Sequence, residues 1–391
     1  MSVPVKHNLN RRANLAHPAL ARAKALRKFG GTMPANVQSV VDRFSLSLKR
    51  GDEQGTVATA ATTEDTEWIT SISVGTPAQT LPMDFDTGSS DLWVMGASTS
   101  GTSGHTTYNA NTSTSAEAMS GATWTISYGD GSSSSGDVYT DVVTIGNLTV
   151  SQQAVEVATT LSSEFTSDTA LSGLVGLAMS SINTVKPTAQ QTWFDNIKSN
   201  LASPLFTADL KHGEQGSYNF GYIDSSAYTG SIYYADLVTS STYAGFWSFV
   251  SNGYSVGSNT TTTTGSTAVT GIADTGTTLL MLPDAVVAAY YAEVSSAVDS
   301  EQEGGYIFSC DATLPDFTFN VGEGSITVPG EYLNFEAIST GSSSCYGGLQ
   351  SDSGIGISIF GDVALKAALV VFDSGNSRLG WAAKASLNLS S

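Results

Sequence analysis

The sequence predicts a mostly β protein built as two similar lobes about an approximate two-fold axis, with few helices. Three observations point there. At 391 residues and 40.5 kDa the chain exceeds one small core and asks for two domains or a large two-lobed one. From Trp68 onward, short runs alternate apolar with polar residues and end in Gly, Asn, Asp or Ser, as in TWTISY (123–128), DVVTIGNLTV (141–150), YNFGYI (218–223) and FTFNV (317–321). Finally, MDFDTGSS (83–90) returns as GIADTGTT (271–278). Each copy is followed by an apolar-apolar-Gly marker, Leu174-Val175-Gly176 and Ile359-Phe360-Gly361, at 90 residues (176 − 86) and 87 residues (361 − 274) past its Asp. One Asp-Thr-Gly is ordinary turn chemistry. Two, with matched markers at matched spacing, imply duplicated halves.

Charge divides the chain before any motif does. The whole carries 16 Lys+Arg against 35 Asp+Glu, net −19. Residues 1–50 hold ten of the basic residues and one acid, Asp42, a balance of +9, so residues 51–391 hold the other 6 basic and 34 acidic ones, −28. An acidic body is repelled by phosphate backbones, which excludes nucleic acid as a partner. No apolar run approaches the roughly 18–20 residues of a membrane span, so no membrane association is expected. Two Cys and four His make neither a zinc scaffold nor a multi-disulfide one, and no metal or cofactor is expected.

In the basic arm, Pro18 opens PALARAKALRKF, with Leu20, Ala23, Leu26 and Phe29 near helical spacing and Gly30-Gly31 as the stop. A second helix is predicted from about Pro34 to Leu48, ending at the dibasic pair Lys49-Arg50, a candidate processing point. GDEQGTVATAATTEDT (51–66) reads as an exposed linker. The start lacks the 7–15-residue apolar stretch of a secretory signal, so a secreted form would have lost its signal peptide ahead of Met1. In the body, helices are predicted only at TWFDNIKSNL (192–201), DAVVAAYYAEVSSAV (284–298) and VALKAAL (363–369).

If the two halves pack about a two-fold axis, Asp86 and Asp274 end equivalent strands and meet. Two carboxyls a few ångströms apart share one proton, and one pKa rises. That supplies a general base and a general acid around one water, the requirement for direct amide hydrolysis. Gly88 and Gly276 allow close backbone approach, and Ser89 and Thr277 can fix the carboxylate planes.

D86TGSSDLW93, the Gly-flanked Y128GDGS132, D274TGTTLL280 and the closing IFGDVALKAALVVFD (359–373) resemble the pepsin-like aspartic proteases. The nearest group is the fungal secreted one that includes endothiapepsin and the penicillopepsins. The resemblance covers residues 66–386, and the arm matches the family's basic propeptide in position and character. It implies the two-lobed pepsin-like acid protease fold, with a propeptide and linker at 1–65 and catalytic lobes at 66–228 and 229–391. It implies that Asp86 and Asp274 are the catalytic dyad, supported by Ser89, Thr277 and Trp93. Tyr128 would be the flap residue, with Gly129, Asp130 and Ser132 beside it, and Trp93 would be its hydrogen-bond partner. Gly88, Gly276 and Thr278 would bind an extended peptide through backbone and hydroxyl groups. Asp130 would admit a Lys next to the scissile bond, and the other pockets would favour large apolar residues. One departure, Ser172-Gly173 for the family's frequent Asp-Gly, touches lobe packing rather than catalysis.

On spacing alone Cys310 and Cys345 are either buried thiols or a disulfide; the resemblance implies the disulfide. Sequons stand at Asn111, Asn147, Asn259 and Asn388. The implied protein is a secreted, monomeric zymogen of an acid endopeptidase acting on proteins and peptides, inhibited by its own propeptide. Lys49 or a nearby lysine of the arm is expected on the dyad.

Rival readings weaken on their own terms. Gly253-Tyr254-Ser255-Val256-Gly257 matches a nucleophile elbow, but no helix pattern follows and His7, His17, His105 and His212 all precede the Ser. Asp84-Phe85-Asp86 resembles a phosphatase motif, yet Gly88 stands at the fifth position and no parallel α/β pattern follows. A pepsin-fold binding or inhibitor module would have lost an Asp of the pair or the Tyr; all three are present.

Overall fold

A computed structural model describes residues 1–7, 17–49, 68–127, 133–162, 165–166, 169–257, 263–265, 268–387 and 389. Strands dominate, and the duplicated motif is duplicated in the backbone. In the first half Gln79–Asp86 runs parallel to Gly173–Gly176, with Asp86 opposite Gly176, while Leu92–Met95 pairs antiparallel to the same short strand. In the second half Val269–Ala273 runs parallel to Ser358–Phe360, and Leu280–Leu282 pairs antiparallel to it. The apolar-apolar-Gly markers are therefore the strands against which each Asp-Thr-Gly strand is hydrogen-bonded. They are apolar because they are buried on both faces.

Under these motifs lies a sheet shared by both halves. Its order runs from Tyr233–Asp236 through Arg378–Ala383, Ala368–Asp373, Leu205–Asp209 and Gly216–Phe220 to Ser2–His7, and continues into Trp68–Val74 and Gln79–Asp86. Strands from both sides of position 228 thus lie in one sheet, those after it at one end and those before it following. Aromatic packing fills the space above it: Phe206 stacks on Phe372 at 4.5 Å, with Trp247 edge-on to both.

The strand Ser2–His7 was not expected. Its residues 2–5 pair with Gly216–Phe220 and residues 6–7 with Trp68–Ile69, so the arm enters the body as a sheet strand. The expected arm helices both form, as α1 (Ala19–Lys28) and α2 (Ala35–Lys49). The stop at Gly30-Gly31 is a two-bond helix cap. Gly30 takes φ +67° and donates to Arg27 O at 2.8 Å, and Gly31 donates to Leu26 O at 2.6 Å. The two helices close a separate apolar core. Ala19, Ala23, Ala25, Leu26, Val37 and Val40 are buried there against Ile272, Phe335, Tyr346, Ile355 and Ile357 of the body.

Two body helices are shorter than predicted. The 284–298 pattern is helix only over Asp284–Tyr291, and Val298–Ser300 is a strand on Gly305–Ser309. The 363–369 pattern yields Asp362–Leu365, after which Ala368–Asp373 enters the shared sheet. In both places strand pairing overrides a local helical period. The 141–150 run is a hairpin bend at Gly146, between Ser133–Ile145 and Leu148–Leu161. Tyr254–Val256, in the nucleophile-elbow match, is a strand paired with Phe317–Phe319, so Ser255 lies within a strand and not at the strand-to-helix turn that motif needs.

Cys310 and Cys345 form a disulfide spanning 35 residues. By loop closure, Cys345→Ser with Cys310→Ser should lower unfolding stability by about 3–4 kcal/mol, read by denaturant unfolding. Asn111 and Asn147 are exposed; Asn259 and Asn388 lie outside the described residues. Among the described residues no helix is long and apolar enough to cross a membrane.

Candidate active site

The two Asp-Thr-Gly turns meet back to back, held by hydrogen bonds that repeat with the pseudo-symmetry. Thr87 Oγ1 donates to Ala273 O at 2.9 Å, and Thr275 Oγ1 donates to Phe85 O at 2.6 Å. The backbone N–H of each Thr donates to the other's hydroxyl at 3.0 Å. Both threonine hydroxyls and both of their backbone N–H groups are satisfied across this buried junction, which fixes one half against the other. These threonines were not singled out in the sequence, although the repeat pointed to both.

Above the junction each carboxylate is gripped in the same way. Asp86 accepts from Gly88 N at 2.8 Å and from Ser89 Oγ at 2.6 Å. Asp274 accepts from Gly276 N at 3.0 Å and from Thr277 Oγ1 at 2.5 Å. The glycines are required by proximity. A Cβ on Gly88 would stand 2.4 Å from Asp274 Oδ1, and one on Gly276 would stand 2.3 Å from Asp86 Oδ1. Both carboxyls are buried, at 1% and 0% exposure.

A single ammonium bridges them. Lys28 Nζ, at the C-terminal end of α1, donates to Asp86 Oδ1 at 2.8 Å and to both oxygens of Asp274 at 3.0 Å. The sequence left open whether Lys49 or a nearby lysine of the arm meets the pair; Lys49 ends α2, and the lysine on the pair is Lys28. The physical reason lies in α1, a thin alanine-rich helix that enters the cleft and delivers its last side chain to the carboxylates. A cation there is also favoured by the negative end of the helix dipole.

The electrostatics separate the two carboxyls. Burial alone would raise Asp86, but the Lys28 charge and hydrogen bond, with Ser89, hold it down at about 2. Asp274 is pushed up by burial and by the neighbouring Asp86 charge, against the pull of Lys28. Burial works against the Lys28 ammonium, yet the two carboxylates outweigh it and raise its pKa. One carboxyl that readily ionises beside one that resists ionisation is an acid–base pair.

The other predicted residues fall as follows. Thr278 is on the Asp274 turn, its carbonyl accepting Val363 N at 3.0 Å. Trp93 is buried in a separate cluster, stacked on Trp124 at 6.0 Å and edge-on to Phe165 at 4.8 Å. The strands Glu117–Ser127 and Ser133–Ile145 form a long hairpin with Ser127 opposite Ser133. Its tip, with Tyr128, Gly129, Asp130 and Ser132, lies outside the described residues. Asp84, the phosphatase-motif candidate, is a buried strand residue opposite Ile69. Tyr218, not anticipated, is buried behind the pair, with its hydroxyl 3.4 Å from Phe85 O.

Residues 67–384 match the family model described as eukaryotic aspartyl protease. The chain is 54% identical to endothiapepsin of Cryphonectria parasitica over 368 residues, covering 93% of this chain and 86% of that protein. It is 51% identical to aspergillopepsin-1 of Aspergillus oryzae over 371 residues, 94% of this chain and 89% of that one. With penicillopepsin-3 of Penicillium janthinellum the identity is 50% over 368 residues, 94% and 88%. The crystal structure of the aspartic proteinase from Irpex lacteus superposes with a TM-score of 0.67 at 27% identity, covering 82% of this chain and 95% of that one. With a duplicated Asp-Thr-Gly fold and relatives of this kind along nearly its whole length, the chain belongs to the pepsin-like eukaryotic aspartyl proteases and is an aspartic-type endopeptidase.

Proposed function

We propose that the chain is the precursor of a secreted acid endopeptidase, in which residues 1–65 inhibit the enzyme and lobes of about 66–228 and 229–391 carry the reaction. Asp86 and Asp274 are its dyad. The observation that carries this reading is Lys28, a buried ammonium of the arm bonded to both carboxylates at 2.8–3.0 Å. The water to be activated needs the space between the carboxyls, and the lysine takes the hydrogen bonds that water would make.

Once the arm has left, the pair shares one proton. The ionised carboxylate takes a proton from the water as it attacks the peptide carbonyl, and the protonated carboxyl gives its proton to the leaving amine. Ser89, Thr277, Gly88 and Gly276 hold the carboxylate planes throughout. Proteins and peptides are the substrates, bound in extended form, with Tyr128 as the residue that closes over them. No metal or cofactor enters a step.

Docking of the arm is pH-dependent. Asp86, held at about 2, lies below its ordinary value near 3.9, so its contribution to docking is complete above that ordinary value and is lost as pH falls toward 2. Residues 1–50 also carry +9 against −28 over residues 51–391, and that attraction fades as the carboxylates take up protons. The test is hydrolysis of haemoglobin or casein at about pH 3–4. Cleavage blocked by a statine-type inhibitor supports the reading, and absence of cleavage after full removal of the arm overturns it in favour of a binding module.

A further inference from the structure

Between α1, α2 and the body sits a buried histidine that the dyad chemistry does not use. His17 is 3% exposed and stands just ahead of α1. Its ring nitrogens have different jobs. Nδ1 lies 3.2 Å from Ala19 N, whose N–H it accepts in the first turn of the helix. With Nδ1 an acceptor, the ring proton is on Nε2, which lies 2.8 Å from Glu303 Oε2 and donates to it. The docked state therefore requires a neutral imidazole.

The groups around the ring complete a clamp on the turn at 300–304. Arg43 of α2 is 3.7 Å from Glu303 and donates to Gln302 O. Arg22 of α1 donates to Gly304 O at 3.0 Å, and Tyr346 of the strand Ser344–Gly347 donates to the same carbonyl at 3.0 Å. Phe44 lies 5.3 Å from the imidazole and Tyr346 6.4 Å, with the Asp299 charge acting on Tyr346 from the neighbouring strand. The ring thus faces one anion, two cations and two aromatic rings. All the arm's contacts here are with the second half of the body.

We propose that His17 is an acid-sensitive latch: protonation of its Nδ1 turns the acceptor of the Ala19 N–H into a donor, breaks the start of α1, and loosens the helix that holds Lys28 on the dyad. This rests on the precursor reading and adds to it a residue that sets the pH of arm release. Burial lowers the His17 pKa, while the Glu303 hydrogen bond and charge pull it back only in part. The sign follows. A docked histidine below its free value binds fewer protons than an undocked one, so its contribution to docking is complete above about 6.5 and declines as pH falls below it. Release therefore begins at higher pH than the Asp86 shift alone would allow.

The test follows loss of residues 1–65 in the full chain across a pH series, comparing wild type with His17→Gln, which cannot take up the proton. Arm loss in His17→Gln is expected to be on the order of tenfold slower at about pH 5 and equal to wild type at about pH 3. Equal final activity after the acid step shows that the variant's body has folded. A second readout is the imidazole titration of the Asp86→Asn chain by proton NMR, with only four histidines to assign. His17 should titrate below the ordinary value, together with detachment of the arm. Identical pH profiles for wild type and His17→Gln, or an ordinary His17 titration, overturn the latch alone. A wild-type chain that keeps residues 1–65 at every pH overturns the precursor reading instead.

Discussion

On the proposed precursor reading, Lys28→Met should give a chain that opens at neutral pH rather than only in acid. The substitution keeps the length and apolar body of the side chain and removes the ammonium that bonds Asp86 and Asp274 at 2.8–3.0 Å. What remains is a carboxyl pair at 1% and 0% exposure with no cation between its members. Removing one partner of a buried ion pair costs about 3–5 kcal/mol, which here falls on the docked state of the arm. At about 1.4 kcal/mol per factor of ten, that is on the order of 10²–10³ in the docking equilibrium. Arm loss at pH 7, followed by gel mobility and N-terminal sequencing, should accelerate by that order. If it does not, the two apolar helices rather than the ammonium hold the arm.

Asp86→Asn should leave a chain that never removes its own arm, with Lys28 keeping only its bonds to both oxygens of Asp274. The amide preserves shape but cannot take a proton from water, and loss of the general base costs on the order of 10²–10⁴-fold or more in kcat/KM. The arm should stay attached on acid incubation, since self-processing needs the same carboxylate. Peptide hydrolysis at about pH 3–4, with the arm removed by added active enzyme, checks the first part. Retained acid activity in this variant would remove Asp86 from the dyad.

How much of this was legible in the sequence depended on whether the cause was local. The two Asp-Thr-Gly turns were legible because duplication writes the motif twice. The same repeat carried the apolar-apolar-Gly strands at 174–176 and 359–361, which pair beside them. The α1 and α2 spans were legible from period and from a Gly-Gly stop that forms the expected cap. The strand Ser2–His7 was not, because it exists only between two partners, around positions 69 and 217, far along the chain. The 284–298 helix was overextended for the same reason. Val298–Ser300 answers to Gly305–Ser309, a partner outside the helical window.

The lysine on the pair shows the limit most clearly. Ten basic residues in the arm made an ion pair with the acidic body foreseeable, but charge counting cannot choose among them. The choice is made by the direction in which α1 enters the cleft, which depends on its packing against Ile355, Ile357 and Phe335. His17 was equally hidden. In the sequence it is only one of four histidines lying ahead of Ser255, and its partner Glu303 is 286 residues away.

The central claim, that the arm closes the enzyme by occupying the carboxyl pair, is tested most directly by active-site titration of the intact chain with a statine-type inhibitor. At neutral pH, with residues 1–65 attached, the account predicts no inhibitor bound; after acid release it predicts one inhibitor per chain. Stoichiometric binding at neutral pH to a chain that still carries its docked arm would contradict it.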